Sequence, residues 1–309
     1  MTTGFFPATT CRASTTASHY RAVERVILAM RAQPFEQMSL QSLAEIAIIS
    51  PFHFDRIFRQ ITGIPPCQFL GALRLEAAKR LLLTTRLSVT DICFEVGYNS
   101  LGTFITRFTQ LVGLPPRRLR RLADNPSSYS MSSVWNRKKS SSRARADEHQ
   151  ITGQVEVEDG FSGPVFVGLF PTPIPQSRPV ACALMTRPGL YQMSHVPDGS
   201  YHVFAASIKW SQDPLAYLLP ETGNIRVGVS HRRLVVGDGK LNESADVKLR
   251  LLELTDPPLL IALPFLLAEH AGPQWQYRHF SRSEKPFKVN ACIGGNELGT
   301  EEIIQYADV

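Results

Sequence analysis

Residues 50–66 read SPFHFDRIFRQITGIPP, and residues 100–116 read SLGTFITRFTQLVGLPP. Each opens on a serine suited to cap a helix. Each closes on Phe-x-x-x-x-Gly-x-Pro-Pro, from Phe58 to Pro66 and from Phe108 to Pro116. Glycine is favoured just past a helix end and proline blocks continuation, so both stretches predict a short helix with a hard stop. Upstream, Ser39-Leu40-x-x-Leu43-Ala44 is matched by Ser88-Val89-x-x-Ile92-Cys93. This earlier match has an offset of 49 and the later one of 50, so one extra residue sits near Gly97-Tyr98-Asn99. Two short helices joined by a tight turn, made twice, predict a tandem helix-turn-helix.

The surrounding periodicity agrees. Val23, Val26, Ile27 and Met30 share one helical face, and Ser39 caps the helix carrying Leu40, Leu43 and Ile46. Ser50-Pro51 places a cap and then proline at the first helical position, with Phe54, Ile57, Phe58 and Ile61 facing inward. A long helix over about 67–84, with Phe69, Leu70, Leu73, Ala77, Leu81 and Leu82 on its buried side, bridges the two units. Residues 18–123 are therefore predicted to be helical throughout, after a disordered stretch over 1–17.

The chain has 309 residues, 43% of them hydrophobic, enough for real cores and about two domains. Its net charge of +6 is unevenly spread: residues 1–146 carry +12 and residues 147–309 carry −6. A basic half joined to an acidic half suggests that one of them meets a polyanion. Arginine supplies 17 of the 20 cations in the basic half, and it is the better residue for bidentate phosphate or guanine contacts. The apolar run Leu259–Ala268 is too short to span a bilayer and is broken by Pro264. The start, MTTGFFPATT, lacks the basic-then-apolar pattern of a signal peptide, so a soluble cytoplasmic protein is expected. Cys11, Cys67, Cys93, Cys182 and Cys292 include no C-x-x-C pair and predict five free thiols and no bound metal or cofactor.

From about Tyr20 to Leu122 the chain resembles the DNA-binding domain of the AraC/XylS transcription regulators. Leu43-Ala44 through SPFHFDRIFR, Leu73-Arg74-Leu75-x-x-Ala78-Lys79-Arg80-Leu81-Leu82, and Ile92-Cys93-x-x-Val96-Gly97-Tyr98-x-Ser100 carry the likeness. Phe104-x-x-x-Phe108-x-x-x-x-Gly113-x-Pro115-Pro116 completes it. The family usually has alanine where Cys93 stands and arginine where Thr106 stands; here the arginine is one place later, at Arg107.

In a helix-turn-helix the second helix enters the major groove. The resemblance implies base-facing side chains at Phe52, Asp55 and Arg56. Arginine suits guanine, phenylalanine can meet a thymine methyl, and Asp55 can accept from cytosine or orient Arg56. In the second unit Phe104 and Phe108 point inward, leaving Leu101, Gly102, Ile105 and Thr106 for base edges and methyl groups. Ser50, Arg59, Ser100, Thr103, Arg107, Arg117 and Arg118 are assigned to phosphates, with Arg120 and Arg121 as further clamps. Two heads on a rigid helix imply two groove segments roughly 34 Å apart on one face of the DNA.

Residues 124–150 are rich in serine and arginine and predict a linker. Beyond them alternation takes over, as in Ile151-x-Gly153-x-Val155-x-Val157 and Val165-x-Val167-x-Leu169. Further strands are expected near 181–185, 201–207, 226–229 and 234–236, with Gly237-Asp238-Gly239-Lys240 as a turn. Ile151-x-Gly153-x-Val155 and Val196-Pro197-x-Gly199-x-Tyr201-x-Val203 resemble the transthyretin-like, carboxypeptidase-regulatory sandwich. Residues 151–268 are accordingly expected to form a β-sandwich-like domain whose last part offers a packing or dimer surface, followed by an unassigned tail over 269–309. His195, Asp198 and His202 lack ligand spacing, and no nucleophile elbow, HExxH or Walker motif is present.

The expected fold is thus multidomain: an all-α tandem helix-turn-helix domain followed by a mostly β one. The expected function is a sequence-specific, non-enzymatic transcription regulator. Its partners would be double-stranded promoter DNA, RNA polymerase and a small-molecule effector, with the β domain as sensor, dimerisation or docking module. The alternative is a ligand-binding or interaction protein whose helical region only scaffolds it. A DNA-repair enzyme with a related helical domain is disfavoured, because its reactive cysteine and associated motifs are missing.

Overall fold

The computed structural model describes residues 8–124 and 150–262, apart from 159, 173, 176–177, 195, 212, 231–232, 238–239 and 242–244. Seven helices come first: α1 (Ala8–Ala32), α2 (Leu40–Ala47), α3 (Pro51–Thr62), α4 (Pro66–Thr84), α5 (Val89–Glu95), α6 (Leu101–Val112) and α7 (Pro116–Asp124). Helix α1 starts ten residues before the expected onset, so a disordered segment over 1–17 does not hold from Ala8 onward. The linker over 125–149 and the tail over 269–309 lie outside the described residues.

The local chemistry explains the boundaries. Ser39 accepts from the Ser42 backbone N–H at 3.0 Å, and Ser88 forms a reciprocal capping box with Asp91. Gly63 and Gly113 end α3 and α6 at φ 78° and 87°, each donating its N–H back to the preceding turn. Arg25 reaches from α1 to the Ile46 and Ala47 carbonyls, satisfying acceptors that the end of α2 leaves unpaired.

Each unit has its own core. In the first, Phe54, Phe58 and Phe69 stack edge to face, with ring centroids 5.5 and 5.6 Å apart. In the second, Tyr98, Phe104 and Phe108 form the corresponding run at 5.4 and 5.6 Å. All five of these phenylalanines are fully buried.

One local conflict stands out where the two units differ. Ile48, the residue that ends α2, sits at φ 60°, ψ 41° and is 82% exposed. By the repeat offset its counterpart is Gly97, at φ 79°. A β-branched residue in the left-handed region is strained, and here no burial compensates. Ile48→Gly should raise stability by about 1 kcal/mol, the relief of strain outweighing the freer unfolded chain. An unchanged or lower melting temperature would count against that strain.

The C-terminal domain is mostly β, as the alternation predicts. Its strands are β1 (Ile151–Val157), β2 (Val165–Phe170), β3 (Cys182–Met185), β4 (Gly189–Met193), β5 (Gly199–Ile208), β6 (Ile225–Val229), β7 (Leu234–Gly237), β8 (Lys240–Leu241) and β9 (Val247–Leu251). They form one sheet in the order β3-β2-β5-β6-β9-β1-β4, with the β7–β8 hairpin added to β5. The end strands β3 and β4 lie against each other, so the sheet curls into a nearly closed barrel. This differs from two stacked sheets, the sandwich that the short strands suggest. Alternate residues from around the sheet, among them Ile151, Val155, Val167, Met193, Val203, Leu234 and Leu249, fill a single interior. Strand alternation reports which face is buried but not whether a sheet stacks or curls.

The two domains share apolar surface. Phe170 and Leu218, with the chain Leu260-Ile261-Ala262 that follows β9, join the core of the second helix-turn-helix unit. Ile174 and Leu254 pack against the first. The Ala262 N–H donates to the Val112 carbonyl at 3.1 Å, pairing an acceptor at the end of α6. From α4, Lys79 Nζ donates to the carbonyls of Leu259 (3.0 Å) and Leu260 (3.4 Å). Residues 259–262 thus lie as a strap on the helical domain. Cys67 in α4 is disulfide-bonded, whereas Cys93 and Cys182 form no disulfide, so the expectation of five free thiols fails at Cys67.

Candidate nucleic-acid interface

The two second helices, α3 and α6, separate their residues cleanly. On α3, Phe54, Ile57 and Phe58 are buried, while Phe52 is 86% exposed and Arg56 and Arg59 are exposed beside half-buried Asp55. On α6, Phe104 and Phe108 are buried, Gly102, Thr103 and Thr106 are exposed, and Ile105 is 38% exposed. Leu101 departs from its expected place: it is half-buried and packs against the unit's core. Leucine at the first helical position gains by covering the edge of that core.

Charges on α3 are arranged locally. Arg59 pairs with Asp55 at 2.8 Å, one turn apart. Arg56 donates to His53 Nδ1 at 3.1 Å, and the His53 ring meets His19 of α1 edge-on at 5.6 Å. Asp55 therefore partners Arg59, and His53 is the residue that holds Arg56; sequence spacing alone allows either partner for Arg56. An exposed one-turn ion pair is worth only about 0.3–0.5 kcal/mol, so Arg59 can exchange it for another anion at little cost.

The helix starts differ. Ser100 caps α6 by accepting from the Thr103 N–H at 3.4 Å. Ser50 makes no side-chain cap bond, which leaves the first-turn donors of α3 facing outward beyond Pro51. Arg117 and Arg118 are exposed on α7. Arg120, expected as a clamp, instead turns inward: its Nε donates to the Leu82 carbonyl at 3.3 Å, tying α7 to α4. Arg107 is half-buried, and its charge acts on the Tyr98 hydroxyl, whose pKa burial raises.

Arg74, present in the sequence motif but assigned no role there, lies at the centre of the domain. It donates from Nε to the Pro34 carbonyl (2.8 Å), from Nη2 to Glu36 (2.7 Å) and from Nη1 to Gly97 (3.5 Å). A motif position carries no hint of three distant backbone acceptors; only the fold brings them together. Among the described residues no group of three or more His, Cys, Asp or Glu is placed to hold a metal, and no helix is long and apolar enough to cross a membrane. His195 lies outside the described residues, and His202 instead accepts from Arg233 Nε at 3.2 Å.

A paired set of second helices, each exposing one face and joined by a bridging helix, defines a DNA-binding helix-turn-helix domain. Residues 43–122 match the helix-turn-helix domain family, and this region is an AraC-type domain. The chain is 35% identical over 94 residues to the bifunctional transcriptional activator/DNA repair enzyme AdaA of Bacillus subtilis, covering 30% of this chain and 44% of that one. It is 33% identical over 88 residues to the transcriptional activator AarP of Providencia stuartii, covering 28% and 64%. The DNA-binding domain of AdpA, solved in complex with a target DNA, is 31% identical and covers 34% of this chain and 96% of its own, with a TM-score of 0.32. The chain spans less than two thirds of the length of these curated relatives. The matched family region ends at residue 122, before the first strand at Ile151.

Proposed function

We propose that the chain is a sequence-specific transcription regulator that reads two adjacent major-groove segments of double-stranded DNA. The observation that carries this is the split on α3 and α6: aromatic residues fully buried on one side, polar, cationic and methyl-bearing residues exposed on the other. The first head reads bases with Phe52, Asp55 and Arg56. The second uses Gly102, Ile105 and Thr106 with the open edge of Leu101, a reader of shape and methyl groups more than of hydrogen bonds. Ser50, Arg59, Ser100, Thr103, Arg107, Arg117 and Arg118 hold phosphates. The β domain packs on surfaces away from Phe52 and Ile105, which favours a sensor, dimerisation or polymerase-docking module over one that covers the reading face. In this reading the protein regulates and does not catalyse, works in the cytoplasm, and answers to a small-molecule effector.

Footprinting on duplex DNA from beside the gene tests it: a protected pair of segments at moderate salt is expected, and no protection would defeat it. Arg56→Ala should lose about 1–3 kcal/mol on that site and relax preference at one base pair, whereas Arg118→Ala should weaken all sequences alike and flatten the salt dependence. Equal losses for both variants on specific and random DNA would overturn the assignment of roles.

A further inference from the structure

Arg74 stands where the two helix-turn-helix units meet. The Pro34 and Glu36 carbonyls belong to the loop that leads from α1 into α2 of the first unit. The Gly97 carbonyl belongs to the turn between α5 and α6 of the second. These two backbones touch there: a Cβ on Gly97 would lie 2.8 Å from the Phe35 carbonyl oxygen and 3.5 Å from Arg74 Cζ. Neighbouring Tyr98 stacks on Phe104 in the first turn of α6. A continuous path therefore runs from the first unit's loop through one guanidinium to the start of the second reading helix. Burial lowers the Arg74 pKa from its usual value, yet arginine remains charged, and its planar fork can serve three acceptors at once.

We infer that Arg74 is a positioning residue that sets the pose of the second reading head relative to the first, and thereby the spacing between DNA segments that the protein accepts. The inference rests on the two-segment DNA reading proposed above. Helix α4 sets the coarse separation of the units, since both pack on it. The tie to the loop and the turn removes the remaining play between them. Two linked heads gain from each other only when their geometry matches the paired sites, so loosening that geometry should cost paired binding and spare single-head binding.

The test uses the full chain and a duplex that the wild-type protein selects from a random-sequence pool. Binding is measured on that duplex, on versions with one base pair inserted or removed between the protected segments, and on a version with one segment scrambled. Wild type should lose at least about tenfold on the altered spacings. Arg74→Ala should bind the selected duplex about tenfold more weakly, discriminate little between spacings, and match wild type on the scrambled duplex. Arg74→Lys, which keeps the charge but not the fork, should fall between them; it decides alone if the alanine variant is unfolded at the assay temperature. A uniform loss on every duplex, or an intact spacing preference in a folded variant, overturns the inference. Failure of the wild-type chain to select any duplex overturns the DNA-reading function itself and is recognisable as such.

Discussion

Lys79→Glu should destabilise the protein by about 3–5 kcal/mol and release the strap from the helical domain. Lys79 is only 2% exposed, and its ammonium group points at two carbonyls of the chain beyond β9. Glutamate has no donor for those carbonyls unless it is protonated, and a buried carboxylate would face acceptors alone. Thermal melting would register the loss, and limited proteolysis would register new cleavage near residues 256–262. Wild-type stability and an uncut strap would show that the contact contributes nothing.

The same lysine gives a pH dependence with a definite sign. Burial is the largest cause lowering its pKa, from 10.5 to about 8, with Arg80 acting in the same direction and Glu76 opposing. The unfolded chain therefore holds a proton that the folded chain releases across this window. Stability contributed by this site is at its lowest below about pH 8 and rises as the pH climbs toward 10.5, by roughly 3 kcal/mol in all. Lys79→Met cannot titrate, so the difference in unfolding free energy between wild type and this variant should carry that slope. A flat difference would show that the site does not titrate this way. The neutral amine retains two N–H donors, enough for both carbonyls, so the strap stays bonded as the proton leaves.

Phe58→Ala should cost about 3–5 kcal/mol, the usual range for truncating a buried phenylalanine. The ring is fully buried and packs between Phe54 and Phe69, joining the reading helix α3 to α4. The second unit has its own aromatic run around Phe104, so the damage should concentrate in the first. Chemical denaturation would measure the loss. In footprints, protection should fade over the segment that the proposed function assigns to Phe52 and Arg56 while the other persists. Simultaneous loss of both segments would show that the two cores fold as one.

Much of the helical domain was legible because its signals are local. Caps at Ser39, Ser88 and Ser100, glycines at 63 and 113, and the Pro-Pro pairs act within one turn of where they stand. The buried faces of α3 and α6 followed from helical spacing, and so did the exposure of Phe52, Arg56, Ile105 and Thr106. Spacing places Leu101 and Arg120 outward, but both lie near the face boundary, where packing on the core half-buries Leu101 and the Leu82 carbonyl draws Arg120 inward. Strand β4 was missed altogether: Gly-Leu-Tyr-Gln-Met is short and begins on a glycine, and it becomes a strand by pairing with β1.

The amino-acid sequence by itself determined that two helix-turn-helix units follow one another, which residues their second helices bury, and that a β domain comes after. Each of those properties depends on neighbours a few residues apart. Tertiary structure alone decided that the sheet curls almost closed, that Arg74 joins two loops from opposite units, and that Lys79 is sunk beneath a strap 180 residues away in the chain. Backbone carbonyls are present at every residue and carry no sequence signature, so which of them a buried cation will find is fixed only when the chain has folded around it.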